Sequence, residues 1–186
     1  MEHLRNEEEV GFLRHEAYFV MNAVRRATQA LNDANKEYGE AVASSGGDWA
    51  FDDPASQVAA MEAHLKEKDL QKMLKLSHLI KDRGEVPYPD ADEQIATYGS
   101  RVHTVEDDGY AGTFDLATHS IPGIPSEDDV TVVTSNAPMA KNLYGARAGE
   151  TISWTAPNGK EFRATVTKVD QLAVKTYFEK VIGSTE

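Results

Sequence analysis

From Leu13 to Ala41, small or apolar side chains recur at alternating steps of four and three: Leu13, Ala17, Val20, Val24, Ala27, Leu31, Ala34, Tyr38 and Ala41. A seam held over about four heptads predicts a long helix that lies against another helix. Arg14, Glu16, Arg25, Arg26, Asn32, Asp33, Lys36 and Glu37 fall on its other faces.

The stretch Ser44-Ser45-Gly46-Gly47 ends that helix, because paired glycines forfeit helix propensity and favour a turn. In Asp52-Asp53-Pro54 an aspartate serves as N-cap and proline fits the first helical position. A second helix is therefore expected from about Pro54 to Arg83. Its large apolar residues trace a stripe through Val58, Met61, Leu65, Asp69, Met73, Leu76 and Ile80, a heptad with a local stutter. Asp69 on that stripe would need a polar partner or an exposed edge. Two such helices joined by a short loop make an antiparallel coiled-coil hairpin, with its tip at Ser44 to Asp53. At about 1.5 Å per residue the second helix would be roughly 45 Å long.

Gly84-Glu85-Val86-Pro87-Tyr88-Pro89 punctuates the chain and marks the expected boundary between a finger, 1–83, and a C-terminal domain, 84–186. Beyond it the pattern turns to short strands: Arg101–Val105, Ala111–Ala117, Val130–Thr134, Thr151–Thr155 and Phe162–Val169. Ala156-Pro157-Asn158-Gly159 reads as a hairpin turn between the last two. One short helix is expected at Pro138 to Leu143, ended by Gly145. Leu172–Ile182 suits either a helix or a final strand. The fold class is α+β.

Composition narrows the function. The chain of 186 residues has no cysteine, which excludes a disulfide framework, Cys-based zinc sites and thiol catalysis. No apolar run approaches the roughly 18 residues of a membrane span, and Met1 to Val10, with four glutamates, does not read as a secretory signal. A soluble cytoplasmic protein with no membrane partner is expected. The net charge of −12 is concentrated in residues 84–136, which hold 11 acids and a single base, Arg101. Such a segment repels a phosphate backbone, so independent binding of duplex DNA is not expected.

No nucleophile–base motif, P-loop or H-E-x-x-H is present, and the six histidines lack metal-ligand spacing. The suggestive cluster is at the hairpin tip, where Asp48, Asp52 and Asp53 flank Trp49 and Phe51. Carboxylates on a tight loop suit a hard cation such as Mg²⁺, with a partner completing the cage. The competing reading makes Asp52 or Asp53 an N-cap and Asp48 a turn residue. The bases Arg25, Arg26, Lys66, Lys68 and Lys72 read either as solvated flanks or as contacts to RNA or to acidic protein.

The run Val133-Thr134-Ser135-Asn136-Ala137-Pro138-Met139-Ala140-Lys141-Asn142-Leu143-Tyr144-Gly145-Ala146-Arg147-Ala148-Gly149-Glu150 resembles the C-terminal signature of Gre-type (GreA/GreB) bacterial transcription elongation factors, P-[LM]-[AG]-x-x-[LI]-x-G-x-x-x-G-[DE]. The resemblance covers about 4–170. It implies a coiled-coil hairpin followed by an FKBP-like antiparallel β domain with a short helix. It also implies a protein that binds RNA polymerase at the rim of the secondary channel. Asn136, Pro138, Met139, Lys141 and Asn142 would then contact the rim. The finger would reach the active site and meet the nascent RNA 3′ end only through the polymerase.

In that family acidic tip residues help hold the second Mg²⁺ and its water, so that a backtracked transcript is cleaved by two-metal hydrolysis. Carried over, Asp48, Asp52 and Asp53 would be the catalytic and metal-binding carboxylates. Mg²⁺ would be shared with the polymerase active site, and the factor would be no enzyme itself. A monomer is expected, since the hairpin satisfies its own seam. The tip departs from the family's G-D-x-x-E-N-A: Gly47-Asp48 matches, but Phe51 stands at the glutamate position. The alternative is a non-cleaving Gre-like regulator that occupies the same channel and modulates or inhibits RNA polymerase. A third reading, a prolyl isomerase or peptide-binding module, would need an aromatic pocket drawn from Tyr98, Tyr110, Phe114, Trp154 and Phe162. A structural coiled-coil dimer completes the set.

Overall fold

The computed structural model describes residues 11–44, 53–156 and 158–184. In chain order the elements are β1 (Phe12–Leu13), α1 (Arg14–Ser44), α2 (Pro54–Arg83), β2 (Glu85–Val86), β3 (Arg101–Glu106), β4 (Ala111–Ala117), β5 (Thr131–Thr134), α3 (Pro138–Leu143), β6 (Thr151–Thr155), β7 (Glu161–Asp170) and α4 (Ala173–Gly183). They form two compact units: Ala17–Asp82, and a second that joins residues up to Glu16 to Arg83–Glu186. The architecture is α+β, with long N-terminal helices before a sheet domain.

The helical unit holds most of α1 and α2, of 31 and 30 residues. On α1 the expected seam is the one that is covered: Val20 and Ala34 are buried, and Val24, Ala27, Leu31, Tyr38 and Ala41 are half-buried. On α2 the covered stripe is Ser56, Ala59, Ala63, Lys66, Leu70, Met73, Ser77 and Ile80, a stutter-free heptad. The expected stripe is therefore corrected over its tip half. Val58, Met61 and Leu65 are 68%, 67% and 50% exposed. Asp69 is exposed too and pairs with Lys72 at 3.3 Å.

The reason is angular. Each step of four turns a helix about 40° past a full turn. The three such steps from Met61 to Met73 carry the stripe about 120° around the helix. Small side chains, Ser56, Ala59 and Ala63, line the covered face there.

The second unit is built on a five-stranded sheet ordered β5-β4-β3-β7-β6. Four strands pair antiparallel as expected, but β5 runs parallel to β4, so the sheet is mixed. The parallel pairing is possible because a long connection, residues 118–130, separates the two strands. Val102, Leu116, Val133, Ile152, Ala164 and Val166 form the core with Ala140 and Leu143 of α3. The β6–β7 hairpin closes where Ala156 N donates to Lys160 O at 2.9 Å, with Gly159 at φ +81°. Leu172–Ile182 resolves as a helix: Asp170 Oδ1 accepts from the N–H groups of Leu172 and Ala173 at 3.1 and 3.0 Å, starting α4. Those bonds and Lys168 hold the Asp170 carboxyl below its ordinary range, the lysine contributing most.

The root of α1 belongs to this second unit. β1 pairs parallel with β2, and Phe12 N donates to Gly84 O at 3.0 Å. A Cβ on Gly11 would lie 2.8 Å from that same Gly84 oxygen, so the position accepts only glycine. Glu16, expected on a polar face with the other charged residues of α1, is instead fully buried. Its carboxylate accepts from Leu13 N and Thr118 N, each at 2.9 Å, from His119 N at 3.1 Å and from the Thr118 hydroxyl. Four donors offset the desolvation of one charge.

Candidate functional site

The turn after β5 and the helix α3 present the residues expected to meet a partner. Buried Ser135 donates through Oγ to Thr118 O at 2.8 Å, and Ala137 N donates to Thr134 O at 2.8 Å, so the turn is held from both sides. Pro138 takes the first helical position, where its missing N–H costs nothing. Ala140 and Leu143 face the core. That leaves Asn136, Pro138, Lys141 and Asn142 exposed on one side, with Met139 half-buried against the core. Asn142 Nδ2 donates back to Pro138 O at 2.8 Å. Gly145, at φ +88°, ends the helix and donates its N–H to Ala96 O at 2.7 Å.

Of the tip carboxylates, Asp48 and Asp52 lie outside the described residues, as do Trp49 and Phe51. Asp53 is described, and it is the N-cap of α2: Oδ2 accepts from Ser56 N at 3.0 Å and from Ser56 Oγ at 3.2 Å. Among the described residues no group of three His, Asp or Glu side chains could hold a metal ion.

Of the finger bases, Arg25, Arg26, Lys68 and Lys72 are exposed, whereas Lys66 sits half-buried on the α2 seam, 3.9 Å from Glu62. The single base of the acidic segment is spent internally. Arg101 forms a two-pronged pair with Asp115, Nε to Oδ1 at 2.7 Å and Nη2 to Oδ2 at 2.9 Å, and also binds Glu127. The Asp115 bonds, above all, raise the guanidinium pKa further. The aromatic set splits: Tyr110, Phe114 and Trp154 line one open groove, Phe162 stacks on Trp154 at 5.3 Å beside a second, and Tyr98 packs against Tyr144.

Sequence reasoning missed a histidine pair beside Glu16. His15 stacks on Phe178 and His119 on Phe12, each with ring centres 3.8 Å apart. His15 Nδ1 is hydrogen-bonded to the Tyr88 hydroxyl at 2.6 Å. Burial lowers the His15 pKa to about 4, against a smaller opposing effect of Glu16, and burial raises that of Tyr88. The Thr118 hydroxyl donates to Glu16, so it accepts from His119 Nδ1, which leaves Nε2 unprotonated in the neutral ring. Nothing in periodicity or spacing marks either ring, because their partners are distant in sequence.

Two long helices and a mixed sheet packed against a short helix define the class: an α+β protein with an N-terminal helical unit and a C-terminal sheet domain. Residues 92–171 match the family model "Transcription elongation factor, GreA/GreB, C-term". That segment is similar to the C-terminal domain of GreA/GreB transcription elongation factors.

Among solved structures, GreA factor homolog 1 (Gfh1) of Thermus thermophilus is 20% identical with a TM-score of 0.36, covering 87% of this chain and 98% of that one. Thermus aquaticus Gfh1 is 18% identical with a TM-score of 0.36, covering 88% and 99%. The GreA/GreB factor from Nitrosomonas europaea is 17% identical with a TM-score of 0.33, covering 53% and 78%. Scores of this size carry no residue-by-residue correspondence. No curated protein sequence matches the chain. Among the described residues no helix is long and apolar enough to cross a membrane.

Proposed function

We propose that this protein regulates RNA polymerase by occupying its secondary channel, without supplying the chemistry of transcript cleavage. The C-terminal unit docks at the channel rim through Asn136, Pro138, Met139, Lys141 and Asn142, and the helical unit enters the channel. The factor acts as a monomer, on the polymerase rather than as an enzyme, and meets the RNA 3′ end only within that complex.

The match of residues 92–171 to the GreA/GreB C-terminal model and the exposed side of α3 support the docking. The observation that favours the non-cleaving form is at the tip. Phe51 stands where the family carries glutamate, and the Asp53 carboxylate already serves as a helix cap. A carboxylate displaced by an ångström or more forfeits most of its effect on a reacting water.

The test is a stalled, backtracked elongation complex to which the protein is added. The expected result is no short 3′ RNA fragments, together with competition against a cleavage factor. Fragments that disappear with Asp48→Ala would instead establish cleavage stimulation, the reading that the retained Gly47-Asp48 pair supports.

A further inference from the structure

An open groove of about 690 Å³ lies beside α3 on the sheet domain. Phe114, Trp154 and Met139 line it, and Tyr110, 65% exposed, stands at its edge. Glu106, Glu127, Asp128 and Asp129 also line it, and among the described lining residues there is no lysine or arginine; Lys160 and Arg163 lie in the adjoining groove that shares Glu106 and Trp154. Arg101 answers Glu127 alone among these four, through the bond described above. The groove thus combines aromatic faces, which attract a cation through their quadrupoles, with carboxylates that lack a basic neighbour in the lining. It is continuous with α3 through Met139.

We propose that this groove is the seat of a basic segment of the partner, whose arginine or lysine side chains lie over Trp154 and Tyr110 and pair with Glu106, Asp128 and Asp129. The occupant follows from charge complementarity: an acidic or neutral segment would leave these carboxylates unanswered, and a nucleic-acid backbone would be repelled. The inference rests on the polymerase reading for the partner's identity, but the chemistry of the groove is independent of it. Docking then has two parts. The exposed side of α3 supplies shape, and the groove supplies charge and therefore salt dependence.

The experiment uses the full chain. Its affinity for core RNA polymerase is measured across a salt series for the wild type, for Glu106→Lys/Asp128→Lys and for the milder Glu106→Gln/Asp128→Asn. In parallel, a fluorescent peptide of alternating arginine and leucine is titrated, with an alternating glutamate–leucine peptide as control. The expected result is at least a tenfold loss of polymerase affinity on charge reversal, a smaller loss and a shallower salt slope on neutralisation, and selective binding of the arginine peptide. If the reversed variant melts early, the neutral pair decides.

Wild-type binding to polymerase that both variants retain in full overturns the groove assignment and leaves the polymerase reading standing. Failure of the wild type to bind polymerase, with the arginine peptide still bound and lost on neutralisation, overturns the polymerase reading and upholds the groove.

Discussion

Glu16 accepts the backbone N–H of Thr118 at 2.9 Å across 102 residues of chain. With the bonds from Leu13 and His119, this one carboxylate joins the start of α1 to the end of β4. Glu16→Ala strands three backbone donors and a hydroxyl in a buried site, at a cost of about 3 kcal/mol or more. Urea denaturation followed by circular dichroism should show that loss. A shift below about 1 kcal/mol would mean that water replaces the carboxylate.

The neighbouring His15 gives stability a pH dependence. Its pKa is about 4 in the folded protein against 6.5 for the free side chain, so between those values the unfolded chain binds more protons. Stability is unaffected by this group above pH 6.5 and falls as the pH drops through 6.5 toward 4, by on the order of 3 kcal/mol in full. His15→Phe keeps a ring against Phe178 and removes the proton site. Urea midpoints at pH 7, 6 and 5 should fall less steeply for the variant, whatever its baseline. Equal slopes would show that His15 titrates normally.

Asp53→Ala removes the cap of α2 and should cost about 1 kcal/mol. Asp53→Asn and Asp53→Ser should restore most of it, because both keep a capping oxygen. Thermal melts of the four proteins give the comparison. In the cleavage assay all four should behave alike if Asp53 is a cap rather than a ligand; a loss confined to the uncharged variants would return it to the metal-binding role.

On α2 the exposed and covered faces should respond oppositely. Val58→Gln and Met61→Gln, on side chains that are 68% and 67% exposed, should change stability by no more than about 0.5 kcal/mol. Ala63→Leu, at a buried position of the seam, should cost about 1–3 kcal/mol through overpacking. Chemical denaturation separates the two. A larger loss from Met61→Gln than from Ala63→Leu would restore the stripe of large apolar residues.

These contrasts show which features a sequence displays openly. The strands Ala111–Ala117 and Thr151–Thr155 and the helix Pro138–Leu143 have the expected bounds, because alternation, Pro138 and Gly145 are local signals. The α1 seam was legible for the same reason. The tip half of the α2 seam was not: hydropathy favours Val58 and Met61 over Ser56 and Ala59, yet the smaller pair lies on the covered face. The parallel β5 escaped notice because strand direction is set by the connection, not by the strand. Glu16 looked like one more charged residue on a polar face, since its donors lie a hundred residues downstream. At the candidate site, the helix that carries Lys141 and Asn142 followed from Pro138 and Gly145. The groove beside them did not, because its aromatics come from separate strands.

The pairing of β1 with β2 and the reach of Glu16 to Thr118 also bear on how the chain is made. At about 5–20 residues per second of synthesis, some seconds to tens of seconds pass between the translation of Glu16 and that of Thr118. Through that interval the Glu16 carboxylate lacks three of its four donors, those of Thr118 and His119. The root of α1 therefore completes its hydrogen bonds only after β4 has been made.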